Sequence, residues 1–323
     1  MKSPAQYYNT DLDYTSVEFF IELCKSKAFS IKTIDELMSL EAYDKIALYS
    51  KNNLWGIDKK DITNFFYGVF ISEEYINPTK YNLDIHKKII DYIKWAKINW
   101  KTIDDNIKTL KKKINRNIII EKTAKYLPLV KDPTKIQIYV SIGIGQGAGY
   151  KDYVILDGFY DKIDNFNLQN IHSFIAHEAH HCFRNVFSKE YSYSEIFQTL
   201  FWLESEGIAM LAQFDSIEPQ INYDEIYEFL YNYNDVLIKI LLKKEKLEEN
   251  AILESLNWKY HEIGHWMAYI IEKHIGHEAL IKCVGDPKMF INSYQKAALK
   301  YNDSKVIFIF DEDVIEAIHD FVT

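Results

Sequence analysis

Arginine is nearly absent from this chain of 323 residues. Only Arg116 and Arg184 occur, the remaining basic residues being lysine, a bias that speaks to genome composition and carries no functional weight. Positive charge as a whole is also short: 38 Lys and Arg face 47 Asp and Glu, a formal charge of -9. That balance excludes a nucleic-acid partner held through its phosphates. The run Lys111-Lys112-Lys113 is too brief to change this and reads as a solvated helix end. Cysteine is scarce as well. Cys24, Cys182 and Cys283 are odd in number and scattered, which excludes a disulfide framework and a cysteine metal cluster. No stretch is long and apolar enough to span a bilayer, and Met1-Lys-Ser-Pro-Ala-Gln-Tyr-Tyr lacks the apolar centre of a signal peptide. The expectation is a reduced, cytoplasmic protein without a membrane partner. What is abundant is apolar and aromatic surface, 48% and 15% of residues, enough for a large core in one domain or two intimate ones.

Within that apolar background, Ile175-Ala-His177-Glu178-Ala-His180-His181-Cys182 contains the pattern H-E-x-x-H. Residues four apart share one helix face, so His177 and His181 can aim two imidazoles at one cation, with Glu178 beside it. This is the arrangement of a zinc hydrolase in which a carboxylate takes the proton of an activated water. His180 points away from the pair. Left without a metal or partners, two buried imidazoles and a glutamate would be costly to hold in an apolar helix.

A catalytic zinc needs three protein ligands and an open position. Trp202-Leu-Glu-Ser-Glu206-Gly207-Ile-Ala209 follows on a second helical segment. Glu204 and Glu206 are two positions, about 200 degrees, apart, so one of them faces the metal. Glu206, followed by small and apolar residues, suits a crowded face and is chosen as third ligand, with Glu204 as the second candidate. His261-Glu262-Ile-Gly264-His265 also fits H-E-x-x-H, but no glutamate follows in the comparable window, and Ala268 and Ile271 stand where a Gly-then-His site would need its residues.

His177-Glu-x-x-His181 followed by Glu206-Gly207-Ile-Ala resembles the gluzincin metallopeptidases, in which two histidines and a downstream glutamate hold the zinc. It is more closely similar to families of predicted zinc-dependent peptidases with an H-E-x-x-H, a later E-G-[small apolar]-A and a Tyr/Gly-containing helix near the C-terminus. The resemblance spans roughly residues 135 to 275. The 24 residues between His181 and Glu206 exceed the gap in the best-known gluzincins. It implies a zincin-like fold, Zn2+ as cofactor and a peptide or protein substrate. It also directs attention to the helix opening at Tyr260-His261 for a donor to the oxyanion, with Tyr260, His261 and His265 as candidates.

The rest of the chain predicts a mainly α (α+β) protein: a helical N-terminal region over residues 1–130 and a catalytic region over 131–323. Apolar residues at helical spacing mark segments near 15–25, 31–50 and 59–72. Ile85 through Ile114 continue at steps of three and four as one long helix or two, with a start signal at Thr102. From Lys135 the period changes to two, and Ile136, Ile138, Val140, Ile142 and Ile144 alternate with other residues. Gln146-Gly-Ala-Gly149 then turns the chain into Tyr153-Val-Ile-Leu156, predicting a small antiparallel sheet beside the motif helix. Gly143 and Gly145 admit two readings, close approach of a substrate backbone or tight packing. Asn167 is the expected cap of the motif helix, whose apolar stripe is Leu168, Ile171, Ile175, Cys182 and Val186, and Ser192-Tyr-Ser-Glu195 is the expected capping box of the next.

Two rival readings come from other classes. Glu178-x-x-His181 and Glu262-x-x-His265 are two E-x-x-H pairs, the pattern of di-iron carboxylate helical bundles, but no glutamate lies between Glu121 and Glu178 to complete that set. The other rival is a catalytically inactive helical binding protein, against which the intact Glu178 argues.

Overall fold

The computed structural model describes residues 7–53, 56–157, 168–189, 194–215, 217–248, 250–301 and 307–320. In chain order the elements are β1 (Tyr8–Asp13), α1 (Thr15–Ser26), α2 (Ile31–Met38), α3 (Glu41–Asn53), α4 (Lys59–Phe70), α5 (Asp84–Ile98), α6 (Trp100–Lys113) and α7 (Arg116–Lys125). There follow β2 (Thr134–Val140), β3 (Ala148–Tyr150), β4 (Tyr153–Leu156), α8 (Leu168–Arg184), α9 (Glu195–Phe214), α10 (Tyr223–Leu237), α11 (Ala251–Ser255), α12 (Tyr260–His274), α13 (His277–Lys282), α14 (Pro287–Lys300) and α15 (Glu312–Asp320). The protein is mainly helical with a small sheet, as its periodicity predicts. No helix among the described residues is long and apolar enough to cross a membrane.

The chain divides into two compact units. One comprises Tyr8–Ile120 with Pro133–Cys182, the other Met1–Tyr7, Glu121–Asp132 and Phe183–Thr323. In the first, local signals set the helix starts. Ser30 with Thr33, and Asp58 with Asp61, form reciprocal capping boxes that satisfy the first amides of α2 and α4. The apolar faces of α1, α3 and α4 meet in an aromatic cluster in which Phe20, Tyr43 and Phe66 pack edge to face. The break between α5 and α6 falls at Asn99, whose side chain donates to the Trp95 carbonyl at 2.8 Å, three residues before the expected start at Thr102.

The sheet of this unit corrects one expectation. Its order is β1-β2-β4-β3, with β1 parallel to β2, β2 parallel to β4, and only β3 antiparallel to β4. The alternation of isoleucines does run on past Val140, but the backbone leaves the sheet there. Ile142 and Ile144 are buried in a connecting segment that passes the β4 position, enters the edge strand β3 and returns through the two-residue turn at Lys151-Asp152. Strand β1 carries too short an alternation to announce itself.

In the second unit α9 and α12 form the central pair, with α14 packed on both. Gly207 and Gly264 make that crossing possible: a Cβ on Gly207 would strike the backbone of Gly264, and one on Gly264 the Leu203 carbonyl. Helix α9 opens at Ser194, whose hydroxyl accepts from the Phe197 amide at 3.3 Å. The predicted cap Ser192 lies outside the described residues, as does Asn167.

Candidate metal centre

Helix α8 buries Ile171, Ile175, Ala179 and Cys182, which sets the rotation of the remaining positions. Val186, expected on the same stripe, lies past the helix end and is exposed. His177 and His181 stand one turn apart with their Nε2 atoms at 3.1 Å and their rings nearly perpendicular, 4.8 Å between centroids. Two nitrogens bound tetrahedrally to one zinc at the usual bond length lie about 3.3 Å apart, so the pair already has the spacing such an ion requires. Glu178 is buried, and its Oε2 accepts the Gly149 N–H of strand β3 at 2.6 Å. His180 is fully buried. Cys182 donates its thiol to the Tyr153 carbonyl at 3.1 Å, and burial, reinforced by the charge of Glu178, pushes that thiol well above its ordinary value.

On α9 the two candidate carboxylates separate. Glu204 is fully buried, pairs with the equally buried Arg184 guanidinium and accepts the Gly285 N–H at 3.0 Å. Arg184 therefore has a structural task, and removing either partner of such a buried pair costs about 3–5 kcal/mol. Glu206 takes another route: its Oε2 lies 3.1 Å from Nε2 of His261 on α12. The close crossing at Gly207 and Gly264, each adjacent in sequence or one turn from that pair, is what brings them together.

Tyr260 opens α12. Its ring packs on Trp202 at 5.2 Å and on His261 at 4.7 Å. Burial first, then the negative charges of Glu206 and Glu262, raise the hydroxyl above its ordinary value. The phenol thus stays protonated through the neutral range and remains a hydrogen-bond donor. The second H-E-x-x-H diverges from the first at every position. His261 serves Glu206, Glu262 is exposed, and His265 is buried with its ring stacked on Phe214 at 6.0 Å.

Among the described residues, one group of three could hold a metal ion: His177, His181 and Glu206, whose ligand-capable atoms lie within 4.8 Å of one another. Two imidazoles and one carboxylate are the donor set of a catalytic zinc rather than of a hard, all-oxygen cation. Glu178 is beside this set and not in it, while Glu262 and His265 belong to no such group among those residues. His261, a candidate donor to substrate by its sequence, lies against Glu206. The signal was available only in the α9–α12 crossing, which two isolated glycines do not announce.

The glycine-rich segment also resolves. Gly143 packs against Ile46 and Asp157, and Gly145, at φ 74°, against the ring of Tyr92, so these two follow the packing reading. The glycines that approach α8 are Gly147, against Phe174, and Gly149, against the backbone carbonyl of Glu178.

Over residues 34–303 the chain matches the model of the family described as "Putative zinc dependent peptidase (DUF5700)". No curated protein and no solved structure matches it.

Proposed function

The chain belongs to this family of zinc-dependent peptidases, and from that premise we propose that it hydrolyses peptide bonds in the gluzincin manner. Zinc is held by His177, His181 and Glu206, and Glu178 is the general base. The observation that carries this reading is the grouping of two imidazoles and one carboxylate within 4.8 Å. When bound there, zinc supplies Lewis-acid chemistry, polarising the scissile carbonyl and acidifying water.

The protein's own groups do the rest. With its Oε2 engaged by Gly149, Glu178 takes the proton of the attacking water at Oε1. It then delivers that proton to the amide nitrogen as the carbon–nitrogen bond breaks, leaving a carboxylate and an amine. His261 orients the Glu206 carboxylate, as partners of ligating groups commonly do. Tyr260, kept protonated, is the donor to the carbonyl oxygen as it gains charge, and His261 is the alternative donor. In this reading residues 131–323 carry the machinery and 1–130 a helical region. A reducing, cytoplasmic setting is supported by three buried free thiols.

The test is Glu178→Gln, assayed for zinc content and for hydrolysis of a mixed peptide library. Zinc is retained and kcat falls by about 10²–10⁴. Unchanged hydrolysis with zinc retained removes Glu178 from the role of base.

A further inference from the structure

We propose that Asp157, far from any ligand in sequence, is a positioning residue for Glu178: it fixes the segment 142–149, which in turn holds the Gly149 amide against the Glu178 carboxylate. The proposal rests on the role of Glu178 just given, and every contact it uses lies within the unit built from Tyr8–Ile120 and Pro133–Cys182.

Asp157 follows β4 and is only 2% exposed. Its Oδ2 accepts the amides of Ile144 at 2.6 Å and Gly145 at 3.3 Å, while Oδ1 accepts the hydroxyl of Tyr92 at 2.7 Å. A buried carboxylate tolerates few arrangements of its donors, so the backbone at 144 and 145 is tied to one conformation. The positive φ of Gly145 and the Tyr92 ring against it make the same demand from the other side. Further side chains extend the clamp along the segment. Tyr43 donates to the Ile142 carbonyl at 2.7 Å, Gln146 donates to the Tyr49 hydroxyl at 2.9 Å, and Asn52 donates to the Tyr150 hydroxyl at 2.9 Å.

The clamped segment ends on α8. Gly147 and Gly149 lie so close to Phe174 and to the Glu178 carbonyl that neither position has room for a Cβ. At the end of this chain of contacts stands one polar bond, from Gly149 N–H to Glu178 Oε2 at 2.6 Å. It is short, and it turns this amide of the edge strand β3 toward α8. Holding one carboxylate oxygen fixes the rotation of the group and presents the other oxygen in a constant place. A base that must accept a proton and return it to a different atom depends on that constancy.

Ala148-Gly149 is the only Ala-Gly step in the chain, so carbonyl-13C alanine with 15N glycine singles out the Gly149 amide in the spectrum of the metal-free protein. Glu178→Ala moves this proton upfield, identifying its acceptor. Asp157→Asn keeps the shape of the side chain and makes the Gly149 amide exchange at least about tenfold faster. In the zinc-loaded enzyme the same variant lowers kcat about tenfold, with KM and zinc per chain unchanged. Tyr92→Phe, which removes one hydroxyl and leaves the ring packing, gives the same direction with a smaller size and covers the event that Asp157→Asn fails to fold. A Gly149 amide indifferent to Asp157→Asn and Tyr92→Phe overturns the proposal, as does a responding amide with unaltered kcat. A wild-type protein inactive on all peptides, with the amide response intact, refutes the peptidase reading while supporting the positioning of Glu178 by Asp157.

Discussion

The two H-E-x-x-H runs, at His177 and at His261, share their three letters and the helical spacing of their histidines, yet their surroundings give them unlike tasks. In the first, both imidazoles turn to one point and the glutamate is buried against a backbone amide. In the second, the first histidine leans on Glu206, the glutamate faces solvent and the last histidine is packed under Phe214. Helix geometry makes either run capable of presenting two ligands. What separates them is the Glu206 carboxylate, which groups with His177 and His181 and not with His265, and the close-packed glycines around each helix.

The comparison is broken most severely if the two glutamates behave alike. Glu178→Gln is expected to lower kcat by about 10²–10⁴, while Glu262→Gln stays within about twofold of wild type. Peptide hydrolysis with both variants measures this. A smaller effect separates the histidines. His261→Phe deprives Glu206 of its partner, so zinc affinity, measured by competition with a chelator, falls about 10–100-fold. Gly264→Ala tests the packing role of the second run: its Cβ must displace the Leu203 carbonyl, and thermal unfolding shows a loss of about 1–3 kcal/mol. The smallest expected effect concerns the thiols. Burial raises Cys24 and Cys283 to about 12 and Cys182 well above its usual range. At pH 8 all three are therefore protonated, and alkylation of the folded chain by iodoacetamide is negligible until denaturant is added.

Much of this arrangement is legible in the sequence, and the limits have physical causes. The helices announce themselves because apolar residues at steps of three and four leave little choice: α1 and α4 begin and end close to where that spacing places them, while the single segment expected near 31–50 is broken at Ser39-Leu40 into α2 and α3. Strand pairing does not announce itself: a period of two says that a strand is half buried and nothing about its neighbour's direction. The parallel β1–β2 pair joins segments separated by α1 to α7, and the parallel β2–β4 pair joins segments separated by a connecting loop and the edge strand β3. In the group that could hold a metal ion, His177, His181 and Glu206 stand out because imidazole and carboxylate side chains are recognisable ligand types. The Gly149 amide and Asp157 do not, since a backbone donor has no residue type and a lone aspartate after a strand resembles any turn. The small residues after Glu206 favour it over Glu204 in the sequence, but the reason Glu204 is withdrawn, its buried pairing with Arg184, is visible only in the fold.

Metal content per chain, measured by mass spectrometry on protein purified without added metal, goes most directly to the central claim. The wild type is expected to carry about one zinc per chain, to lose it in His181→Ala and to keep it in Glu262→Ala. Two irons per chain, zinc retained in His181→Ala, or no metal taken up even when zinc is supplied would contradict a single zinc centre on the first H-E-x-x-H.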